Sequence, residues 1–350
     1  MTKRELKIAT RGSILALWQA EHVASKLRVA GIKVELHVVK TKGDLVQDRF
    51  LSEIGGKGLF VKELEDAMLA GHADLAAHSL KDMPVNLPPA FRFGAILPRN
   101  CAHDVLIIRA KSAASAGLGD RDGKWLNAAE LSAAGPLTIG TSSLRRAALF
   151  ARHAAKIKSL PVRGNVDTRL KKLHDGQFDG IVLAGASLER LGAKFWEHVP
   201  RSEFIVCPLD MKEFIPCAGQ GALAVEVPNG GDLLGEILAP LHCADTAFCV
   251  QVERAVLRSL GGDCTMPFGA LCEIETDPDG KRFASASATL LSNDGQHATA
   301  HVRIEIGSDK NQDKTPEAIG AKLLADLTEG GAAEILTALL LPVPDAMRLH

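Results

Sequence analysis

Along the first hundred residues, short apolar runs alternate with stretches whose apolar positions return every three or four residues. Leu6-Lys7-Ile8-Ala9-Thr10 has strand character, and Ser13 opens an amphipathic helix that Gly31 stops. Val34 to Val39 predicts the next strand and Gly55-Gly56-Lys57-Gly58 a flexible turn. Leu59 to Ala70 predicts a helix with Phe60, Leu64, Met68 and Leu69 on one face. Ala73-Asp74-Leu75-Ala76-Ala77 reads as a further buried strand. Such alternation predicts a parallel sheet with helical crossovers.

A Pro-rich stretch, Pro84 to Pro98, leads to a strand from Asp104 to Arg109. The small-residue segment Lys111 to Lys124 is expected to be an exposed loop. A second α/β pattern begins at Leu137-Thr138-Ile139-Gly140, with a helix from Ser143 to about His153 and strands at Ile157 to Leu160 and Gly180 to Ala184. From about Pro240 the pattern changes again. A helix (Thr246 to Leu260) is followed by a Gly-rich turn, strands around Leu271 to Glu275, Phe283 to Leu291 and Ala298 to Ile306, and closing helices. The expected fold class is α/β in two lobes, with a small C-terminal α+β domain.

Composition narrows the function classes. A length of 350 residues predicts two or three domains, and 46% hydrophobic residues can fill their cores. A net charge of −1 excludes a globally basic nucleic-acid binder but leaves room for a local basic patch. No apolar run approaches the ~20 residues of a membrane helix. Met1-Thr2-Lys3-Arg4-Glu5 leads straight into a strand, so a cytoplasmic protein with neither a membrane nor a nucleic-acid partner is expected. The seven cysteines contain no C-x-x-C pair and no zinc-like Cys/His spacing, so no metal is expected. Most of them are expected to be small buried hydrophobes.

The densest chemistry is His78-Ser79-Leu80-Lys81-Asp82-Met83-Pro84, which sets a hydroxyl, a cation and a carboxylate behind a buried strand. Ligands of α/β sheets sit outside the carboxyl ends of strands, although Ser79 or Asp82 could equally cap a turn. Ile8-Ala9-Thr10-Arg11-Gly12-Ser13 and Ile139-Gly140-Thr141-Ser142-Ser143-Leu144-Arg145-Arg146 echo each other as strand–turn–helix segments. Helix N-termini attract anions, so two such lobes suggest a cleft for an acidic ligand, although hydroxyls there are also ordinary caps.

Arg145, Arg146, Arg163 and Arg169 fall at element ends or in turns, whereas Arg152, Lys156, Lys158, Lys171 and Lys172 read as a solvated helix face. With Arg11, Lys57 and Lys81 they would repel one another unless a polyanion neutralised them, and Arg suits bidentate binding of carboxylate or phosphate. Aromatic residues are only 4% and tyrosine is absent, which disfavours stacked bases. No G-x-x-x-x-G-K-[ST] loop is present. A small polycarboxylate fits best. Gly261-Gly262-Asp263-Cys264-Thr265-Met266-Pro267 places a thiol in a Gly-rich turn that leaves room for an attached group, a buried structural cysteine being the alternative.

These segments, together with Leu15-Ala16-Leu17-Trp18-Gln19-Ala20, Gly55 to Phe60, Arg163-Gly164-Asn165-Val166-Asp167-Thr168-Arg169-Leu170, Ala218-Gly219-Gln220-Gly221-Ala222 and the Phe268-Gly269 that follows Pro267, resemble the porphobilinogen deaminase (hydroxymethylbilane synthase) family. The motifs occur in the family's order from residue 6 to about 270. The resemblance implies two periplasmic-binding-protein-like lobes and a third domain. Domain 1 would cover 1–100 and 209–239, domain 2 101–208, and domain 3 240–350. It implies a monomer that condenses four porphobilinogen molecules head to tail, releasing ammonia, to give hydroxymethylbilane. A dipyrromethane cofactor, joined by thioether to Cys264, would prime the chain.

By the same resemblance Asp82 is the catalytic carboxylate. Ser79, Lys81, Asp82, Thr141, Ser143, Arg145, Arg146 and Arg169 would hold the cofactor, and Arg11, Ser13, Gln19, Arg163, Arg169 and Arg190 the substrate. Lys57 and Phe60 would belong to a mobile loop, roughly Lys42 to Gly58, and its edge. Gly-Asp-Cys stands where Gly-Gly-Cys is common, and 111–124 looks longer than usual for the second lobe. Cys101 and Cys217 fall near the expected crossings without a role. A non-enzymatic two-lobed polycarboxylate-binding protein would explain the arginines but neither Asp82 nor the Cys264 loop. A phosphate-handling α/β enzyme lacks its phosphate loop, and an inactive paralogue would not be expected to retain both Asp82 and Cys264.

Overall fold

The computed structural model describes residues 5–40, 61–230, 232–262, 266–307 and 314–347. The chain runs β1 (Glu5–Arg11), α1 (Ile14–Val29), β2 (Lys33–Val39), α2 (Lys62–Leu69), β3 (Leu75–Ser79) and β4 (Phe91–Ile96). It continues with β5 (Asp104–Arg109), α3 (Ala110–Ser115), α4 (Ala128–Ala133), β6 (Leu137–Gly140), α5 (Leu144–His153), β7 (Ile157–Leu160) and α6 (Val166–His174). There follow β8 (Gly180–Ala184), α7 (Gly185–Leu191), β9 (Phe204–Pro208), β10 (Leu223–Pro228), α8 (Asp232–Leu238) and α9 (Ala244–Ser259). The last elements are β11 (Phe268–Thr276), β12 (Arg282–Leu291), β13 (His297–Ile306), α10 (Pro316–Glu329) and α11 (Ala332–Ala338).

Two compact units result, one of Met1–Asn100 with Gly221–Ala247 and the other of Cys101–Gln220 with Phe248–His350. Their five-stranded sheets repeat one design. The first has the order β2-β1-β3-β10-β4 and the second β7-β6-β8-β5-β9. In each, the first three strands are parallel and the fourth is antiparallel to both its neighbours. That fourth place is taken by the strand reached soon after the chain passes into the unit: β5 after Asn100 and β10 after Gln220. The third sheet is an antiparallel meander, β11-β12-β13, whose apolar face packs on α9, α10 and α11 through Val252, Val256, Ile319, Leu323 and Leu336. The molecule is thus α/β in two lobes with a small C-terminal α+β domain. Among the described residues no helix is long and apolar enough to cross a membrane.

Several local expectations are corrected. The segment 111–124 is an exposed loop only in part: its first residues lie in α3, and Ala113, Ala116 and Leu118 are buried in the core of the second lobe, while Gly119, Asp120 and Asp122 to Lys124 are exposed. Small residues allow that close packing, which a polarity reading misses. Leu69 does not join the buried face of α2; it is 62% exposed while Leu64 and Met68 are buried. β4 lies inside the Pro-rich stretch, and β9, β10 and α6 also form where no element was expected. Of the six described cysteines, only Cys207, Cys249 and Cys272 are buried.

The Ala218-Gly219-Gln220-Gly221 run spans a crossing between units. Within the first unit Asn100 N donates to Gly221 O (3.1 Å). Within the second, Gln220 Nε2 donates to Ala102 O (2.6 Å). Gly219 has φ +75°, a left-handed conformation that favours glycine. Its N–H donates to Glu253 Oε2 (2.6 Å), while Cys272 N donates to Glu253 Oε1 (2.9 Å). One buried carboxylate from α9 thereby ties the crossing to the third sheet. Glu253→Ala is expected to lower stability by roughly 2–4 kcal/mol, because two buried N–H groups lose their acceptor. Urea unfolding checks this, and Glu253→Gln should recover part of the loss.

Candidate active site

In the first unit the chemistry gathers at the carboxyl ends of β1 and β3. Arg11 ends β1, and Ser13 caps α1, its Oγ accepting from Ala16 N (3.3 Å). Thr10 Oγ1 donates to Ala16 O (3.1 Å) and braces the same junction. β3 ends at Ser79, and the chain turns through a 3-10 turn, Leu80–Asp82. Leu80 and Met83 are buried and anchor that turn, leaving Lys81 half-buried and Asp82 exposed. Leu80 N also donates to Ala222 O (3.0 Å). Gln19, expected on the substrate side, lies buried on α1 and donates from Nε2 to Ser79 Oγ (2.7 Å).

In the second unit α5 starts after β6 much as α1 starts after β1. Ser143 Oγ accepts from Arg146 N (3.4 Å), and Thr141 Oγ1 accepts from Ser143 N (3.2 Å). Ser13, Ser79 and Ser143 therefore each use an oxygen lone pair inside the protein. These bonds leave the hydroxyl proton to be donated. The capping and ligand-binding readings of these serines are compatible.

Arg145 and Arg146 are buried at the start of α5, and both reach Asp104, the first residue of β5. Arg145 Nη2 lies 2.8 Å from Asp104 Oδ2, and Arg146 Nη2 lies 2.7 Å from Asp104 Oδ1. Arg145 Nη1 donates to Ile215 O (2.8 Å) and Arg146 Nη1 to Val182 O (2.9 Å). Gln220 Nε2 adds a third donor to Asp104 Oδ1 (2.8 Å). Burial pushes the Asp104 carboxyl up, but the two guanidiniums and the hydrogen bonds from Arg146 and Gln220 outweigh it and hold it well below the usual carboxylate range. These arginines are thus not two bare cations; one carboxylate offsets half their charge. Among the described residues Arg145 Nε and Arg146 Nε are buried donors without a hydrogen-bond partner, so each guanidinium has donor capacity beyond Asp104.

The Arg163–Arg169 segment is a helix start rather than a turn alone. Asn165 caps α6, its Oδ1 accepting from Thr168 N (3.0 Å) and Thr168 Oγ1 (2.7 Å). Gly164 has φ +108°, and a Cβ there would lie 2.5 Å from Thr168 Cγ2, so only glycine fits. Arg169 stands on α6 and donates from Nε to Gly164 O (2.8 Å), while Lys172 Nζ donates to Arg163 O (3.2 Å). Arg190 is buried on α7 next to Glu189, whose Oε2 accepts from Cys101 N (3.0 Å). Burial, followed by Glu189, pushes the Cys101 thiol up to about 12. Lys57, Phe60 and Cys264, with the expected loop from Lys42 to Gly58, lie outside the described residues.

Residues 6–234 match the sequence model of the porphobilinogen deaminase dipyromethane cofactor binding domain, and residues 247–329 match that of the porphobilinogen deaminase C-terminal domain. The chain belongs to the porphobilinogen deaminase family. Porphobilinogen deaminase of Thiobacillus denitrificans is 40% identical over 346 residues, covering 95% of this chain and 98% of its own. That of Stenotrophomonas maltophilia is 41% identical over 334 residues, with 95% and 98% covered. Among solved structures, the periplasmic aliphatic sulphonate binding protein SsuA from Escherichia coli is similar over 73% of this chain and 70% of its own, at a TM-score of 0.36 and 13% identity.

The donor set fits the family's dipyromethane cofactor, whose rings bear carboxylates. The guanidinium N–H groups of Arg145 and Arg146 that have no partner among the described residues, and the donor-ready hydroxyls of Ser79 and Ser143, are suited to carboxylate oxygens. Asp104 escaped the sequence reading, and Gln220 entered it only within a motif, because their partners lie far along the chain; Asp104 is 41 residues from Arg145 and 116 from Gln220.

Asp104→Asn is expected to destabilise the protein by about 3–5 kcal/mol, because two buried guanidiniums lose their counter-charge. The pH response has a definite sign. A carboxyl held below its ordinary value of 3.8 contributes stability that is present above that pH and lost as pH falls below it. Thermal melts should therefore show a shallower acid limb below about pH 4 for Asp104→Asn than for wild type.

Proposed function

We propose that this chain is a porphobilinogen deaminase acting as a cytoplasmic monomer, and that Asp82 is its catalytic carboxylate. The observation that carries this reading is the anchored turn after β3, which leaves Asp82 exposed beside Lys81 and Ser79, in a chain whose residues 6–234 match the cofactor-binding domain.

Porphobilinogen carries acetate and propionate groups, so each condensation adds two carboxylates. Lys81, Arg11, Arg145, Arg146, Arg163 and Arg169 supply cations for them, and Ser13, Ser79 and Ser143 supply O–H donors. Thr141 positions Ser143 by accepting its N–H. Arg190 is assigned to the substrate side. Gln19 acts through Ser79, holding its oxygen so that the hydroxyl proton is directed to a ligand. Lys57 and Phe60, which precede α2 in the sequence, are assigned to closing the site against water.

When bound through the Cys264 thioether, the dipyromethane supplies the nucleophilic pyrrole carbon to which new rings are added. Loss of ammonia from porphobilinogen leaves an electrophilic methylene whose positive charge is shared with the pyrrole nitrogen. Asp82 beside that N–H stabilises the developing charge. It can also accept the proton that condensation releases.

Intact-mass measurement of the purified wild type and of Cys264→Ala tests this reading. The wild type is expected to carry extra mass equal to two porphobilinogen units less two ammonia molecules, and the variant to lack it. A wild type that stays unmodified after incubation with porphobilinogen would instead favour a polycarboxylate-binding protein. Asp82→Asn is expected to lower kcat by roughly 10²–10⁴-fold with an unchanged circular dichroism spectrum. Near-normal turnover would remove the assignment of Asp82.

A further inference from the structure

Ser79 and His78, the last two residues of β3, point to opposite faces of the first sheet, as successive strand residues must. On one face Gln19 of α1 holds Ser79. On the other, His78 Nε2 lies 3.0 Å from Glu226 Oε2 on β10, with both side chains buried. In the ladder His78 pairs with Ala224 and Glu226 with Ala76, so the two side chains meet diagonally across neighbouring strands. The next rung joins Ser79 to Leu223, and Leu80 N–H to Ala222 O follows.

Glu226 Oε1 is buried and receives no N–H or O–H donor among the described residues. α2 packs on this face of the sheet, Leu64 and Met68 lying against Ala9 and Ala76, and it brings the carboxyl of Glu65 to Glu226. Two carboxyl groups can hydrogen-bond only when one carries a proton. We propose that Glu65, Glu226 and His78 form a proton-sharing clamp between α2 and the end of β3, in which Glu226 and His78 are positioning residues for the Ser79–Asp82 turn. The positioning part rests on the proposed function, since it is Asp82 and its neighbours that are held. A buried hydrogen-bonded polar pair contributes little net stability compared with an apolar pair of the same shape, whereas a displacement of about 1 Å at a catalytic group can cost ~10²-fold in rate.

The groups facing Glu65 are Glu226 from β10, with His78 of β3 behind it, and Asp66 from its own helix. β1 and β2 meet α2 through Ala9 and Val39. Burial first, then the charge and hydrogen bond of Glu226, raise the Glu65 carboxyl from 4.5 to about 7. The stability that comes with the bound proton is therefore present at acid pH and lost as pH rises through about 7.

Glu65→Gln offers Glu226 a neutral N–H donor at every pH. Melting temperatures of wild type and Glu65→Gln, measured from pH 5 to pH 8 on the holoenzymes, are expected to diverge, the wild type losing ground as pH rises. A difference that does not change with pH overturns the proton sharing. Steady-state kinetics with porphobilinogen at pH 6 test the positioning. Glu226→Gln is expected to lower kcat about tenfold with KM within about twofold, and the fall of kcat expected of the wild type between pH 6 and pH 8 should be smaller in Glu65→Gln. An unchanged kcat in Glu226→Gln, or a loss confined to KM, overturns the positioning role. A wild type inert towards porphobilinogen overturns the proposed function and the positioning with it, while the melting curves still decide the clamp.

Discussion

The second unit depends on one carboxylate. Asp104 receives Arg145, Arg146 and Gln220, and these come from the start of α5 and from the crossing segment before β10. A buried carboxylate without partners would be expelled or protonated, and a buried guanidinium without a counter-charge would be worse. Each group is tolerable only because the others are there. The start of β5, the N-terminus of α5 and the crossing are consequently fixed as a set. The helix terminus that the proposed function assigns to carboxylate binding is held rigid before any ligand arrives.

The hydroxyls show the same economy at smaller scale. Ser13 and Ser143 cap helices, and Ser79 is held by Gln19. In each case the protein uses the oxygen lone pair and leaves the proton. A residue that looks like an ordinary cap in the sequence can thus be oriented for donation by the cap itself. Rigid strand ends and helix starts, rather than long loops, carry most of the described candidate site residues, which suits the proposed binding of several carboxylates in register.

Much of this was legible in the residues alone. Apolar periodicity located β1, α1, β2, β3, β6, α5 and the strands of the third sheet, because a strand or helix that buries one face must repeat its apolar positions. The polar run after β3 marked the candidate site, since a hydroxyl, a cation and a carboxylate released at the end of a buried strand lie where α/β sheets bind ligands. Periodicity failed at β4, β9 and β10, which lie among prolines or end on one. It failed again at 111–124, where alanines and one leucine bury themselves by closeness rather than by size.

The sequence by itself determined the residue types, their local spacing, the strand and helix periods and the membership of a family whose motifs run in order along the chain. Only the tertiary structure decided which partners those residues take. Asp104 finds Arg145 41 residues away, and His78 finds Glu226 148 residues away. Local spacing sets caps and faces because neighbouring residues are bound to meet. Charge pairing and proton sharing depend on burial and on distances of about 3 Å, which exist only after the sheets have brought separate strands side by side.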